Sequence, residues 1–206
     1  KGEFGVKRLK KRTARPLTLS FAVGGAGAQR RLGVQIIKSL REKIKRHHIK
    51  INLIAGTHKD LKVFFEREVK KLGLKLGDKK GVEIMYEKTR PEYFKKFNQM
   101  LRKTDVLWTK PSELSFYTGL GIPIIMAEPI GSQEKFNRLW LQQIGGGIDQ
   151  LNPEHTDEWL FDWVNSGGLA RLAWNGYIEA PTHGTYRIEE IITGQKVELE
   201  QLPIIV

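Results

Sequence analysis

Residues 17–33, LTLSFAVGGAGAQRRLG, join an apolar run to a cluster of glycines and then to two arginines that open a helical pattern. A strand that breaks at glycines and restarts as a helix is the first unit of an α/β fold, because the glycines let backbone N–H groups and a positive helix end approach an anion. Downstream, Leu32, Ile36, Leu40 and Ile44 recur at four-residue steps with Ile37 beside them, marking one buried helix face. The same alternation follows. IKINLIAG (49–56) reads as a strand, Leu61, Phe65, Val69 and Leu72 as a helix stripe, and VEIMYE (82–87) as a third strand. Phe94, Phe97 and Leu101 mark a third helix, DVLW (105–108) a fourth strand, and Ser112 the N-cap of a short helix running to Gly119. IPIIMAE (122–128) reads as a fifth strand and Gln133 to Gln143 as a fifth helix.

Strands separated by helices imply right-handed crossovers and a parallel sheet covered on both faces. The expected fold is therefore α/β, a Rossmann-like three-layer sandwich with a central parallel sheet of about five or six strands. Ligands of such sheets bind beyond the carboxyl ends of the strands, so chemistry belongs in the loops after Gly24, Gly56, Tyr86, Thr109 and Glu128. Beyond residue 145 the pattern weakens into Trp- and Gly-bearing segments, read as helices packing back on the sheet. Trp140, Trp159, Trp163 and Trp174 are expected in the core. Three regions are expected: a basic arm or interdomain linker at 1–15, a domain at 16–192 and a tail at 193–206.

Composition narrows the function. The 206 residues are 40% hydrophobic and 28% charged, as in an ordinary globular domain, and cysteine is absent, which excludes disulfides, thiolate metal sites and a cysteine nucleophile. No apolar run reaches transmembrane length. The chain begins at Lys1 rather than Met, as a piece of a longer protein would. Of the formal charge of +12, half lies in residues 1–15, KGEFGVKRLKKRTAR, a segment that would be drawn to an anionic membrane surface or to nucleic acid. Lys38, Arg41, Lys45 and Arg46 add charge, but no helix-turn-helix, zinc or RNP-type motif accompanies them, which leaves a nucleic-acid-binding module as the weaker alternative.

The glycine turn fits neither common phosphate loop. It lacks the lysine and hydroxyl of a Walker A motif, and Arg30 stands where a dinucleotide fingerprint needs its third glycine. The second strand ends in Ile54, Ala55, Gly56 and Thr57, with no carboxylate for a ribose hydroxyl. A turn that binds nothing is the plain alternative. After the fifth strand, Ser132, Gln133, Glu134 and Asn137 form a polar set, and Gln133 and Asn137 share a helix face. Such side chains suit sugar hydroxyls, which need donors and acceptors together, or they cap the helix. There is no Asp-x-Asp pair and no His-Glu-x-x-His; His47 and His48 end a basic helix as solvated residues, while His58 follows the second strand.

Three stretches together resemble the C-terminal, donor-binding half of GT-B glycosyltransferases, in particular the group containing MurG and the plant monogalactosyldiacylglycerol synthases. SFAVGGAGAQ is similar to that group's first strand and glycine loop, INLIAGTHKDL to its second strand, and GIPIIMAEPIGSQEKFN to its Gly-Leu-Pro strand with the Gly-Gln-Glu and Asn signature. The resemblance implies a nucleotide-sugar donor, usually UDP-linked, used as substrate with no cofactor or metal. Its diphosphate would sit at Gly25, Ala26, Gly27, Ala28 and Gln29, with Arg30, Arg31 or Lys110 taking up charge. Tyr86, Glu87 and Lys88 would edge the base, Ser112 and Glu113 would lie near the ribose, and Ser132, Gln133 and Glu134 would face sugar and ribose with Asn137 in support. It also implies inverting transfer to a lipid-linked or cell-envelope acceptor, a general base in an N-terminal acceptor domain outside this chain, and a cytoplasmic site at the membrane's inner face. A sugar-nucleotide epimerase of the same fold is the other enzyme that this pattern allows.

Overall fold

The computed structural model describes residues 15–22, 29–77, 81–112, 114–181 and 184–194. Six strands form one parallel sheet: β1 (Leu17–Ala22), β2 (Ile49–Gly56), β3 (Val82–Tyr86), β4 (Val106–Thr109), β5 (Ile124–Met126) and β6 (Gly147–Asp149). Their spatial order is β3-β2-β1-β4-β5-β6. This is the doubly wound order, in which the chain turns from one side of the sheet to the other between β1 and β4 and opens a crevice there. The α/β reading, the parallel sheet and its strand number hold.

Alternating side chains along each strand feed two cores. On one face Leu19 and Phe21 of β1 pack with Ile36 and Ile37 of α1 (Arg30–Ser39), Phe65 and Val69 of α3 (Lys59–Lys71), and Leu160 and Leu172 of α7 (Thr156–Asn165) and α8 (Gly168–Glu179). On the other, Ile54, Met85, Leu107, Ile124 and Met126 meet Phe97 and Leu101 of α4 (Arg90–Leu101), Tyr117 of α5 (Leu114–Gly119), and Leu141 of α6 (Ser132–Gln143). Each fully buried large side chain adds about 1.5–3 kcal/mol to the driving force for this three-layer arrangement. Trp108 on β4 is fully buried, with its ring edge-on to Phe21 at 6.4 Å and to Trp159 at 5.3 Å.

Gly33 explains how the first crossover dispenses with the third fingerprint glycine. A Cβ there would lie 2.8 Å from Phe21 Cε1, so only glycine lets α1 settle this closely on β1. The packing glycine has moved one turn into the helix, leaving Arg30 at the helix start.

Several elements differ from the sequence expectation. The helix expected through Ile44 breaks at Leu40 into α1 and the short α2 (Arg41–Lys45). β5 keeps only Ile124–Met126 of the seven residues expected in it. β6 is an additional three-residue strand whose Gly-Ile-Asp carries no alternation to reveal it. Phe94 lies on the outer side of α4, and Trp174 is 66% exposed rather than in the core, because α8 buries Leu169, Leu172 and Gly176 instead. Trp159 is buried, while Trp140 and Trp163 pack partly buried against the two cores. The last helix, α9 (Gly184–Thr193), buries none of its residues among the described ones.

Candidate functional site

The carboxyl ends of β1, β4 and β5 bring together the loops that the sequence singled out. Gln29 stands just before α1, and its side-chain Nε2 donates to the carbonyl of Glu128, in the loop after β5, at 3.2 Å. This bond bridges the crevice between segments 99 residues apart. Its Oε1 is buried without a hydrogen-bond partner among the described residues. A buried acceptor left without a donor costs about 1–3 kcal/mol, and a ligand hydroxyl or amide would remove that cost.

Lys110 follows β4 and reaches across to α6. Its Nζ lies 2.9 Å from Glu134 Oε1, with both side chains more than four-fifths buried. Glu134 Oε2 accepts the backbone N–H of Ile130 at 2.8 Å, so the carboxylate also fixes the β5–α6 loop. Burial opposes its ionisation, but the Ile130 N–H, the Lys110 ammonium and the Gly131 N–H outweigh that cost and hold the carboxyl below its ordinary range. One turn on, Asn137 Nδ2 donates to the carbonyls of Pro111 at 3.0 Å and Ser112 at 3.1 Å. Glu134 and Asn137 thus tie the β4 loop to α6. Ser132 and Gln133, in the first turn of α6, remain exposed, with their side chains free to meet a ligand.

At the neighbouring strand ends, Tyr86 closes β3 with the Lys62 ammonium 5.4 Å above its ring, and Glu87 is held by Lys96 at 2.7 Å. Lys88 is exposed beyond them. His58 immediately precedes α3, also exposed. Arg30 and Arg31 lie exposed on the first turn of α1, Arg30 with Asp60 at 4.0 Å and its guanidinium over Phe64. Gly25, Ala26, Gly27, Ala28 and Glu113 lie outside the described residues.

The structure adds residues that the sequence reading missed. Arg138 of α6 grips both carboxylate oxygens of Asp149 at the end of β6, and Gln142 donates to the same carboxylate at 2.9 Å. Donating to the Asp149 carboxylate holds the Arg138 guanidinium more firmly protonated. Gln150 accepts the indole N–H of Trp108 at 3.1 Å. A strand assignment for Gly147–Asp149 would have placed these groups at the carboxyl edge. Among the described residues, no group of three or more His, Asp or Glu could hold a metal ion, and no helix is long and apolar enough to cross a membrane.

A family model described as a domain of unknown function, DUF6938, matches residues 4–79 and 70–186. The chain belongs to the DUF6938 family. No curated protein matches it in sequence. Solved structures extend the comparison to this DUF6938 chain's fold. The C-terminal CMP-Kdo binding domain of WaaA from Acinetobacter baumannii aligns with a TM-score of 0.59 at 10% identity, over 80% of this chain and 89% of that domain. The kitacinnamycin glycotransferase aligns at 0.60 and 17% identity, over 91% of this chain and 45% of its own. The S. aureus MnaA–UDP structure aligns at 0.54 and 14%, over 89% and 48%. The DUF6938 chain therefore has a GT-B glycosyltransferase-like fold and spans about half the length of the two longer proteins. Other matches include WaaG, a glycosyltransferase involved in lipopolysaccharide biosynthesis, so the likeness is spread over several enzymes rather than specific to the MurG group.

Proposed function

We propose that this chain is the nucleotide-sugar-binding half of an inverting, metal-independent glycosyltransferase, with a UDP-sugar as the expected donor. The observation that carries the reading is the Gln29 clamp. It joins the start of α1 to the β5 loop across the switch point and leaves a buried acceptor without a partner where a nucleotide-sugar would lie. The structures aligned with the chain include a CMP-Kdo binding domain and a UDP complex, which supports a nucleotide-linked sugar as the ligand class.

Residues take distinct parts in this reading. The Gly25–Gln29 turn and the N-terminus of α1 receive the diphosphate, with Arg30 and Arg31 nearby. Tyr86 and Glu87 edge the base; Glu113 serves the ribose beside Ser112. Ser132 and Gln133 meet the sugar, while Glu134 and Asn137 hold the platform on which they stand. Lys110, kept in place by Glu134, supplies positive charge as the diphosphate leaves. A base in a partner domain outside this chain deprotonates the acceptor hydroxyl as it attacks the anomeric carbon. In this reading residues 1–15 are drawn to anionic lipid.

Calorimetric titration with UDP, CMP, GDP, ADP and NAD tests the proposal, repeated on a Gln133→Ala, Glu134→Ala double variant with the preferred sugar nucleotide. Selective binding of one pyrimidine nucleotide, weakened in the double variant, is expected. Absence of binding by every nucleotide overturns it.

A further inference from the structure

The amino ends of the strands form the edge opposite the proposed nucleotide site, and that edge is cationic. Lys38 near the end of α1, Arg41, Lys43 and Lys45 of α2, and Arg46 at the turn into β2 lie there because parallel crossovers return each helix to the amino side. Lys70 and Lys71 end α3, Lys75 follows them, and Arg102 and Lys103 precede β4. Several acids at this edge are engaged within the fold. Glu42 meets Lys45 at 3.0 Å and Arg41 at 3.6 Å, Glu68 meets Lys71 at 3.0 Å, and Glu83 meets Lys50 at 3.0 Å. Asp105 meets Arg15 at 2.9 Å, and Asp157 accepts from Ser39 at 2.7 Å.

Lys38, Arg46, Lys70, Lys75, Arg102 and Lys103 are exposed and make no ion pair with a described residue. Beside Lys38 a cleft of about 450 Å³ is lined by Lys38, Ser39, Arg41, Glu42, Lys71 and Leu72. It is of headgroup size. Arg15 stands at this edge too, so the basic segment that ends with it is attached here.

Farther along the same edge the surface becomes apolar. Gly176 of α8 packs against Gly146, just ahead of β6, and against Thr118. On the side of α8 turned away from that contact Trp174 is 66% exposed, Ile178 41% and Tyr177 40%, and Leu120 after α5 is 42% exposed. Tryptophan and tyrosine beside aliphatic side chains suit the headgroup–acyl boundary of a bilayer, whereas a nucleic-acid backbone offers Leu120 and Ile178 nothing to bury against.

We propose that the amino edge of the sheet docks on an anionic lipid surface, its unpaired cations on headgroup phosphates and the α8 side chains at the interface. The inference does not depend on the nucleotide reading. It assigns lipid contact to the folded domain, not only to the segment before it.

Co-sedimentation with vesicles of phosphatidylcholine alone, or of equal parts phosphatidylcholine and phosphatidylglycerol, tests the docking face. The full chain is expected to partition onto the anionic vesicles only, and Trp174 emission to shift blue there and be quenched by brominated acyl chains. A Lys38→Gln, Arg46→Gln, Lys70→Gln variant, with residues 1–14 intact, should lose partitioning by about 100-fold at low salt. Lys75→Gln, Arg102→Gln, Lys103→Gln provides a second set on different loops, and thermal unfolding checks that each variant is folded. Unchanged partitioning of both folded variants, with loss only on deleting residues 1–14, overturns the proposal. Binding of a labelled oligonucleotide in place of the vesicles also overturns it, as does retention by neither lipid.

Discussion

At the carboxyl edge Lys110 and Arg138 each hold a carboxylate, Glu134 and Asp149, whereas at the amino edge Lys38, Arg46 and Lys70 hold none among the described residues. One sheet thus ends in two kinds of electrostatics. At the carboxyl edge the Lys110–Glu134 and Arg138–Asp149 charges are paired in advance, and Glu134, more than four-fifths buried, is tied to its loop by the Ile130 N–H. Where an extended surface would be met, cations stand in water, cost little to solvate and await an external counter-charge. Salt should therefore weaken contact at the amino edge far more than it disturbs the carboxyl edge.

Removing the same side chain from each end tests the contrast most directly. Lys110→Ala strands Glu134 largely buried beside the Ile130 N–H, and the expected loss of stability is about 1–3 kcal/mol in urea unfolding. Lys70→Ala should stay within about 0.5 kcal/mol of the parent. Equal effects would erase the distinction between the edges. His47→Gly carries a smaller effect of opposite sign. His47 closes α2 with φ of 57°, donating its N–H to Ile44 while His48 N–H returns to Lys43, a left-handed terminus that favours glycine. The substitution should raise stability by about 1 kcal/mol, read as a higher melting temperature. It should leave nucleotide titration unchanged.

The smallest effect concerns pH. Glu134 has a folded pKa below its unfolded one, so its stabilisation is complete above the ordinary glutamate range and fades as pH falls through the folded value. A Glu134→Gln variant should therefore lose less stability than the parent on acidification, seen as converging unfolding midpoints. Parallel curves would show that Lys110 and Ile130 do not hold the carboxylate as the geometry implies.

Most of the architecture was legible because β1 to β4 are long enough to show their apolar content and α1 and α3 carry a four-residue stripe. β6 was not, since three residues give no period, and with it went Arg138 and Asp149. Trp174 misled because size alone predicts burial, while the small residues Gly146 and Gly176 decide which side of α8 meets the sheet. In the candidate site the chemistry of Gln29, Lys110, Gln133 and Glu134 was visible, but their pairing was not. Nothing local in Gln29 points to the carbonyl of Glu128, and nothing in Lys110 points to Glu134 rather than to a ligand.

The distance in sequence between Gln29 and Glu128 also sets an order of events during synthesis. β1 lies at the centre of the sheet beside β2, whereas the clamp on Gln29 needs the loop after β5, which pairs with β4. Domains fold as the chain leaves the ribosome, and contacts of long sequence separation close last. A nascent chain stopped after β4 would therefore own four of the six strands but not the clamp of Gln29 on Glu128.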